Sequence, residues 1–291
     1  MRRASSSFLG IAPPISFQEQ RRLKRLIWFS CKREKIRCLM RDVRMLFFQL
    51  RQFAANSYFL QLMLTATIVS VVMQYLVLAG SAQSPGGEEL VWLRAGLVGA
   101  WTVATSAAGI LGFQRFQGVL VPLFQSPLGE SRALFPVIAA TASFGVSAVP
   151  VAVVVSLIFG LPVVVSDVGV FLLGMVLFAL GAVSMSLVVA LLFVLTPNAI
   201  TYEGLLAIPI ILLSGIFGYP ASVAPALEGV STLIPIAPAI RVLESSLAVR
   251  EFGALDAIAS AVCSIVWLMA SGFAMRSVAR RVRRDASVEV S

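Results

Sequence analysis

The sequence predicts an all-α polytopic membrane protein with six transmembrane helices, and three observations predict it. The first is a stretch, residues 133–227, that holds two charged side chains, Asp167 and Glu203. It divides into apolar runs at 134–160, 169–194 and 200–218, each near the roughly 20 residues a helix needs to cross a ~30 Å hydrocarbon core. The runs are continuous rather than alternating, which favours helices over barrel strands. The second is composition: 58% of the residues are hydrophobic and 13% are charged, against about 25% charged in soluble domains. A chain of 291 residues is too small to bury three such helices in a soluble core. The third is charge placement. Of the 23 Lys and Arg, thirteen precede residue 52 and five lie at 276–284. Basic ends on so apolar a chain mark cytoplasmic flanks beside anionic lipid rather than a nucleic-acid surface.

Residues 1–38 read as a basic cytoplasmic segment, rich in Ser, Pro and Gly at its start, with Ile27, Trp28 and Phe29 set among bases at 20–37. Such a mixture suits a lipid surface. Residues 39–53 alternate Arg41, Asp42, Arg44 and Arg51 with Met40, Leu46, Phe47, Phe48, Leu50 and Phe53, the pattern of an amphipathic helix lying in the interface. Asn56 or Ser57 is placed to cap the next helix. Residues 39–276 are read as the apolar transmembrane domain, and 277–291 as a cytoplasmic tail.

The first crossing is 58–78. Residues 79–82 resemble a signal-peptidase site, but 57 residues precede the apolar run, too many for a signal n-region; an uncleaved helix is expected. The second crossing is 90–113, with Arg94 near its start able to reach the surface. The third, 134–160, contains Pro150 and should kink there. Asp167 is placed to cap the fourth, 169–194. The fifth, 200–218, contains Pro209. The sixth is 254–275, with Asp256 near its outer end, where it should cap the helix or face water. Ser214 and Gly218 are spaced as a small-residue contact on one helix face.

Orientation follows from charge. With both ends inside, the inner segments hold the thirteen early bases, Arg115, Arg132 and the five of the tail, while Arg94, Arg241 and Arg250 lie outside. The positive-inside rule selects this arrangement.

Several chemistries are excluded. The chain has no histidine, so imidazole catalysis and histidine metal sites are absent. Cys31, Cys38 and Cys263 form no CxxC, and no disulfide framework or metal site is expected. No P-loop is present, so ATP is not handled by this chain alone. No catalytic residue and no cofactor on this chain is expected.

Two connecting segments are unusual. Residues 115–130 are cytoplasmic in this topology yet rich in Val, Leu and Phe, an apolar surface that calls for protein or lipid cover. Residues 219–253 are external, apolar and interrupted by Pro220, Pro225, Pro235 and Pro238. They should form short helices dipping into the outer leaflet, with their turns shielded by protein.

In this order the segments resemble the permease of a type-2 ATP-binding-cassette exporter over residues 39–276. Arg115, Gly118, Leu120, Ser126 and Pro127 match the family's coupling segment, in which Pro122 also lies; Phe116, Val119 and Val121 replace its Glu, Thr and second Glu. Both acids are therefore missing. Pro209, Ser214, Gly215, Phe217 and Pro220, followed by Pro225, Pro235 and Pro238, match the entrance to the outer loop. The resemblance implies an N-terminal elbow helix and re-entrant outer helices before the sixth crossing. It also implies a second permease subunit, homo- or heterodimeric, and a separate ATPase subunit carrying ATP and Mg. The implied cargo is lipid-like, drug-like or glycan. An ion-coupled secondary transporter and a non-transporting scaffold are the competing readings; the scarcity of charge within the crossings and the lack of inverted halves weigh against the former.

Overall fold

The computed structural model describes residues 40–41, 43–80, 87–116, 130–195, 205, 208–219, 224–247 and 249–288. The chain divides into two compact units, Met1–Arg44 and Met45–Ser291. In the first, residues 40–41 and 43–44 are helical; all other described residues belong to the second. Every regular element among the described residues is a helix.

Residues 45–54 are helical and precede α1 (Ser57–Gly80). Asn56 starts α1 as the sequence expects: its Oδ1 accepts from the Tyr58 amide at 3.0 Å, satisfying one of the first-turn donors a helix leaves open. A short 3-10 turn, Glu88–Leu90, leads into α2 (Val91–Phe116), 26 residues without a break and therefore about 39 Å long.

The expected kink at Pro150 is a full break. α3 (Glu130–Gly145) and α4 (Ala148–Ile158) are separated by a turn at residues 146–147. Proline's ring clashes with the carbonyl four residues before it, here Val146, which is where the helix parts. α4 ends with Gly160 in the left-handed region at φ 72°. The Leu161 amide then donates to the Ser156 carbonyl at 3.0 Å and the Gly160 amide to that of Leu157 at 3.1 Å, the paired closure that satisfies last-turn carbonyls.

α5 (Val168–Leu195) begins at Asp167, whose Oδ1 accepts from the amides of Gly169 at 2.8 Å and Val170 at 3.0 Å. The cap read from sequence is thus made. α6 (Ala224–Ser231) and α7 (Ile236–Ser245) are short. α8 (Ala254–Val288) continues well past the expected end at 275. Residues 208–213 are helical and 214–217 turn. Gly218, at φ 77°, therefore lies beyond the helix, and the spacing of Ser214 and Gly218 does not put them on one helix face.

α2 and α5 are the centre of the bundle. α2 packs on α1, α3, α4 and α5, while α5 packs on α2, α3, α7 and α8. Trp92, Leu93, Leu97 and Trp101 of α2 and Phe178 and Phe193 of α5 are fully buried. In lipid, burial against another helix gains little from water exclusion, so close dispersion contact has to hold helices together. Small residues permit that approach. A Cβ at Gly96 would sit 2.9 Å from Val149 Cα of α4, and one at Gly99 would strike Thr67 of α1. Hydroxyls mostly bond within their own helix: Thr67 donates to the Met63 carbonyl at 2.7 Å, Thr102 to Val98 at 2.9 Å and Thr141 to Val137 at 2.8 Å. Ser186 differs, since its Oγ crosses from α5 to donate to the Ala104 carbonyl of α2 at 2.8 Å.

The outward faces are apolar. Ile68, Val69, Met73, Leu76 and Val77 are exposed on α1, as are Leu255, Ile258, Val262, Val266 and Phe273 on α8. Among the described residues, four helical stretches are long and apolar enough to cross a membrane: Ser57–Gly80, Phe135–Ile158, Val168–Phe193 and Ala254–Ser277.

Gly96→Ala should lower stability by about 1 kcal/mol, because overpacking of about 1–3 kcal/mol outweighs a helix-propensity gain of about 0.5–1 kcal/mol. Gly272→Ala, whose added Cβ meets nothing within 4 Å, should show that gain alone. Thermal unfolding in detergent measures both; an equal or higher midpoint for Gly96→Ala contradicts the packing account.

Candidate functional site

The site is built around α7. Pro235 occupies its cap position and Pro238 its first turn, where a missing N–H removes no helical bond. Ile236, Ala239, Ile240, Val242 and Leu243 are buried. α5 offers glycine where α7 lies closest: a Cβ at Gly174 would sit 2.7 Å from Leu243 Cγ, and one at Gly181 3.2 Å from the Ile236 nitrogen. α8 grips the turn before α7. Ser260 Oγ donates to the Pro235 carbonyl at 2.9 Å, and Trp267 Nε1 donates to the Leu233 carbonyl at 2.9 Å. At its other end, the Ser246 carbonyl accepts from the amides of Ser166 at 2.9 Å and Asp167 at 3.1 Å.

Two charged side chains leave α7 one turn apart and go to different helices. Arg241 Nε donates to Asp256 Oδ1 in the first turn of α8 at 2.7 Å, and its Nη1 reaches Ser231 Oγ at 3.3 Å. Asp256 also gains from the positive end of α8. Glu244 Oε1 lies 3.5 Å from Arg94 Nη2 in the first turn of α2. All four are largely buried, with 13–24% of each side chain exposed. Burial pushes the Glu244 carboxyl above the ordinary range, and Arg94, then Arg250 and Arg241, draw it back. Arg94 Nε is buried and has no acceptor among the described residues.

Arg94, Arg241 and Glu244 border a cavity of about 140 Å³, whose wall also includes Ser214, Tyr219, Glu228 and Arg250. Gly215 lies on the wall too. Its φ of 74° is a conformation that side chains disfavour, and a Cβ there would press within 2.9 Å of Tyr219 Oη. Tyr219 OH donates to the Leu213 carbonyl at 2.6 Å, and Ser214 Oγ to that of Ile211 at 2.6 Å, so both tie the turn to the helix before it.

The outer-loop residues singled out by sequence therefore divide. Ser214 and Gly215 meet the charged cavity. Phe217 is 48% exposed, Pro225 falls in α6, Pro235 and Pro238 begin α7, and Pro220 lies outside the described residues. Of the coupling segment, Arg115 is in the last turn of α2; Gly118, Leu120, Pro122, Ser126 and Pro127 lie outside the described residues, as does Glu203. Two readings need correction. Arg94 turns to Glu244 instead of to the surface, and Asp256 holds Arg241 instead of only capping or facing water. The available signal is Arg241 and Glu244 at i, i+3 in a segment too apolar to be a free loop. Among the described residues no group of acidic or cysteine side chains could hold a metal.

A helical bundle with apolar outward faces and crossing-length helices defines a multi-pass membrane protein. A profile of the ABC-2 type transporter family matches residues 43–247, more than two thirds of the chain, and the protein belongs to that family. It is thus a membrane component of the kind that serves as a transporter permease and generally works with an ATPase subunit. No curated protein and no solved structure matches the chain.

Asp256→Asn should cost about 2 kcal/mol, since it leaves Arg241 largely buried beside a neutral partner. The double change Arg241→Asp with Asp256→Arg should recover part of that loss. Thermal unfolding of Asp256→Asn, of the singles Arg241→Asp and Asp256→Arg, and of the double variant reads the coupling; purely additive losses in the double variant contradict a direct pair.

Proposed function

We propose that this chain is the permease subunit of an ATP-binding-cassette exporter, moving a lipid-like, drug-like or glycan cargo out of the cytoplasm. The observation that carries the reading is α2. Arg94 and Arg115 occupy the two ends of one unbroken 26-residue helix, about 32 Å apart at 1.5 Å per residue, the thickness of a hydrocarbon core. The coupling segment that starts at Arg115 and the charged cavity at Arg94 then lie on opposite membrane faces. α2 and the segment 200–218 complete six crossings. Residues 39–53 form the elbow helix, and α6 and α7 form the re-entrant outer helices. Both termini lie in the cytoplasm, and the protein resides in the cell membrane.

In this reading a separate ATPase docks on residues 115–127, and a second permease subunit, identical or related, completes the pathway. ATP and Mg belong to the ATPase. Closure of its dimer pushes the coupling segments, and the crossings repack to open a path. The exposed faces of α1 and α8 meet membrane lipids or the second subunit, and no nucleic acid is involved. The loss of both acids at Phe116 and Val121 leaves an apolar contact with the ATPase in place of the family's charged one.

Transport into or out of liposomes tests the proposal. Cargo movement should require this chain, its ATPase and ATP together, and should fail when the ATPase's catalytic carboxylate is replaced. Gradient-driven transport by this chain alone overturns it.

Topology is tested separately in intact cells. An impermeant thiol reagent should label a cysteine at Ser84 but not one at Gln125 or Ser287; labelling of both inner positions reverses the orientation.

A further inference from the structure

We propose that α2 works as a lever whose outer end is held by a releasable latch, the Arg94 and Glu244 pair, and whose pivot is the Ser186 to Ala104 hydrogen bond. The inference rests on the permease reading for what drives the lever, and on geometry for the rest.

The two ion pairs of α7 are unequal. Arg241 and Asp256 meet at 2.7 Å, and Arg241 has Ser231 as a second partner. That pair joins α7 to α8, which also holds the Pro235 and Leu233 carbonyls. The Ser246 carbonyl is held by two amides at the start of α5. α7 is thus fixed to α5 and α8 by several bonds. Its charged tie to α2 is longer, at 3.5 Å, and leaves Arg94 Nε buried without an acceptor among the described residues. A guanidinium with an unused donor is incompletely satisfied where it stands. It therefore loses less on leaving than a fully bonded one would. Displacement of the helix end by about 2 Å is enough to take a contact of this length beyond hydrogen-bond range.

α2 can deliver that displacement because it is continuous. The Ala104 carbonyl receives the Ser186 hydroxyl ten residues after Arg94 and eleven before Arg115. The arms are then about 15 Å and 16 Å, so movement at the coupling end reappears at the latch with nearly equal size and opposite direction. Around the pivot the small Ala100, Val103 and Ala104 of α2 are buried beside Trp101, and side chains this close to the pivot move least as the helix tilts. Release of Glu244 frees the wall formed by Arg94, Ser214 and Tyr219, and the small cavity opens toward the outer face.

The test places one reporter cysteine on the cavity wall, Ser214→Cys, in a chain whose Cys31, Cys38 and Cys263 are replaced by Ser. Ser214 is 3% exposed, so labelling by an impermeant maleimide in proteoliposomes should be slow. Glu244→Gln and Arg94→Gln should each accelerate it about tenfold. The reversed pair, Arg94→Glu with Glu244→Arg, should bring the rate back near the parent's, which a merely misfolded cavity would not do. Adding the ATPase and ATP should accelerate labelling of the parent and leave Glu244→Gln no faster than before.

Parent-like rates in both single variants, or a reversed pair as fast as the singles, overturn the latch. Fast singles and a slow reversed pair, with an ATPase that hydrolyses ATP but leaves the parent's labelling unchanged, overturn the lever. Failure of any ATPase to bind strikes the permease reading instead, because the labelling ratios of the variants are measured on this chain alone.

Discussion

Close contact between α2 and α5 is the constraint on which the remaining structure depends. Neither helix has a polar face, and lipid gives little reason for apolar helices to associate. They meet through large buried side chains, Trp92 of α2 against Phe171 of α5 with ring centroids 5.9 Å apart, in a core that includes Trp101, Phe178 and Phe193. The Ser186 bond to Ala104 fixes their register. Once the two are joined, α1, α3 and α4 have α2 to pack on, and α7 and α8 have α5. Apolar side chains left over face outward, as a lipid solvent permits.

Charge is handled differently at the two ends. The basic flanks can remain in water beside lipid headgroups, so they need no designated partner. Arg94, Arg241, Glu244 and Asp256 are largely removed from water, and there each charge requires a counter-charge. α7 provides two of the four from adjacent turns. A ten-residue helix too short to span the membrane thereby becomes the element on which α2, α5 and α8 converge.

Much of this is legible in the sequence because it depends on neighbours along the chain. The apolar runs mark the long helices, and Asn56 and Asp167 announce caps that the backbone uses. Pro150 locates the break in the third run to within a few residues, since the clash it causes falls one turn upstream. Ser214 and Gly215 belong to the outer-loop motif in sequence and in space, though nothing local announces the left-handed turn at Gly215. The ion pairs are not legible. Arg94 and Glu244 are 150 residues apart, and no local pattern distinguishes an arginine that reaches the surface from one that turns inward. Residues 117–129, where most of the coupling motif falls, lie outside the described structure, so their reading rests on resemblance.

The hydroxyls of Thr67, Thr102 and Thr141 have a further consequence. Each is spent on a carbonyl one turn back in its own helix, so these groups do not cement one helix to the next. A shift of these helices past one another breaks none of these three bonds, whereas the Ser186 bond to Ala104 must be carried or broken when α2 moves against α5. Had the same hydroxyls bonded across the gaps, every change of helix position would have required several of those bonds to break together. In the permease reading proposed above, helices joined this way can change position while their apolar faces stay against the surrounding lipid.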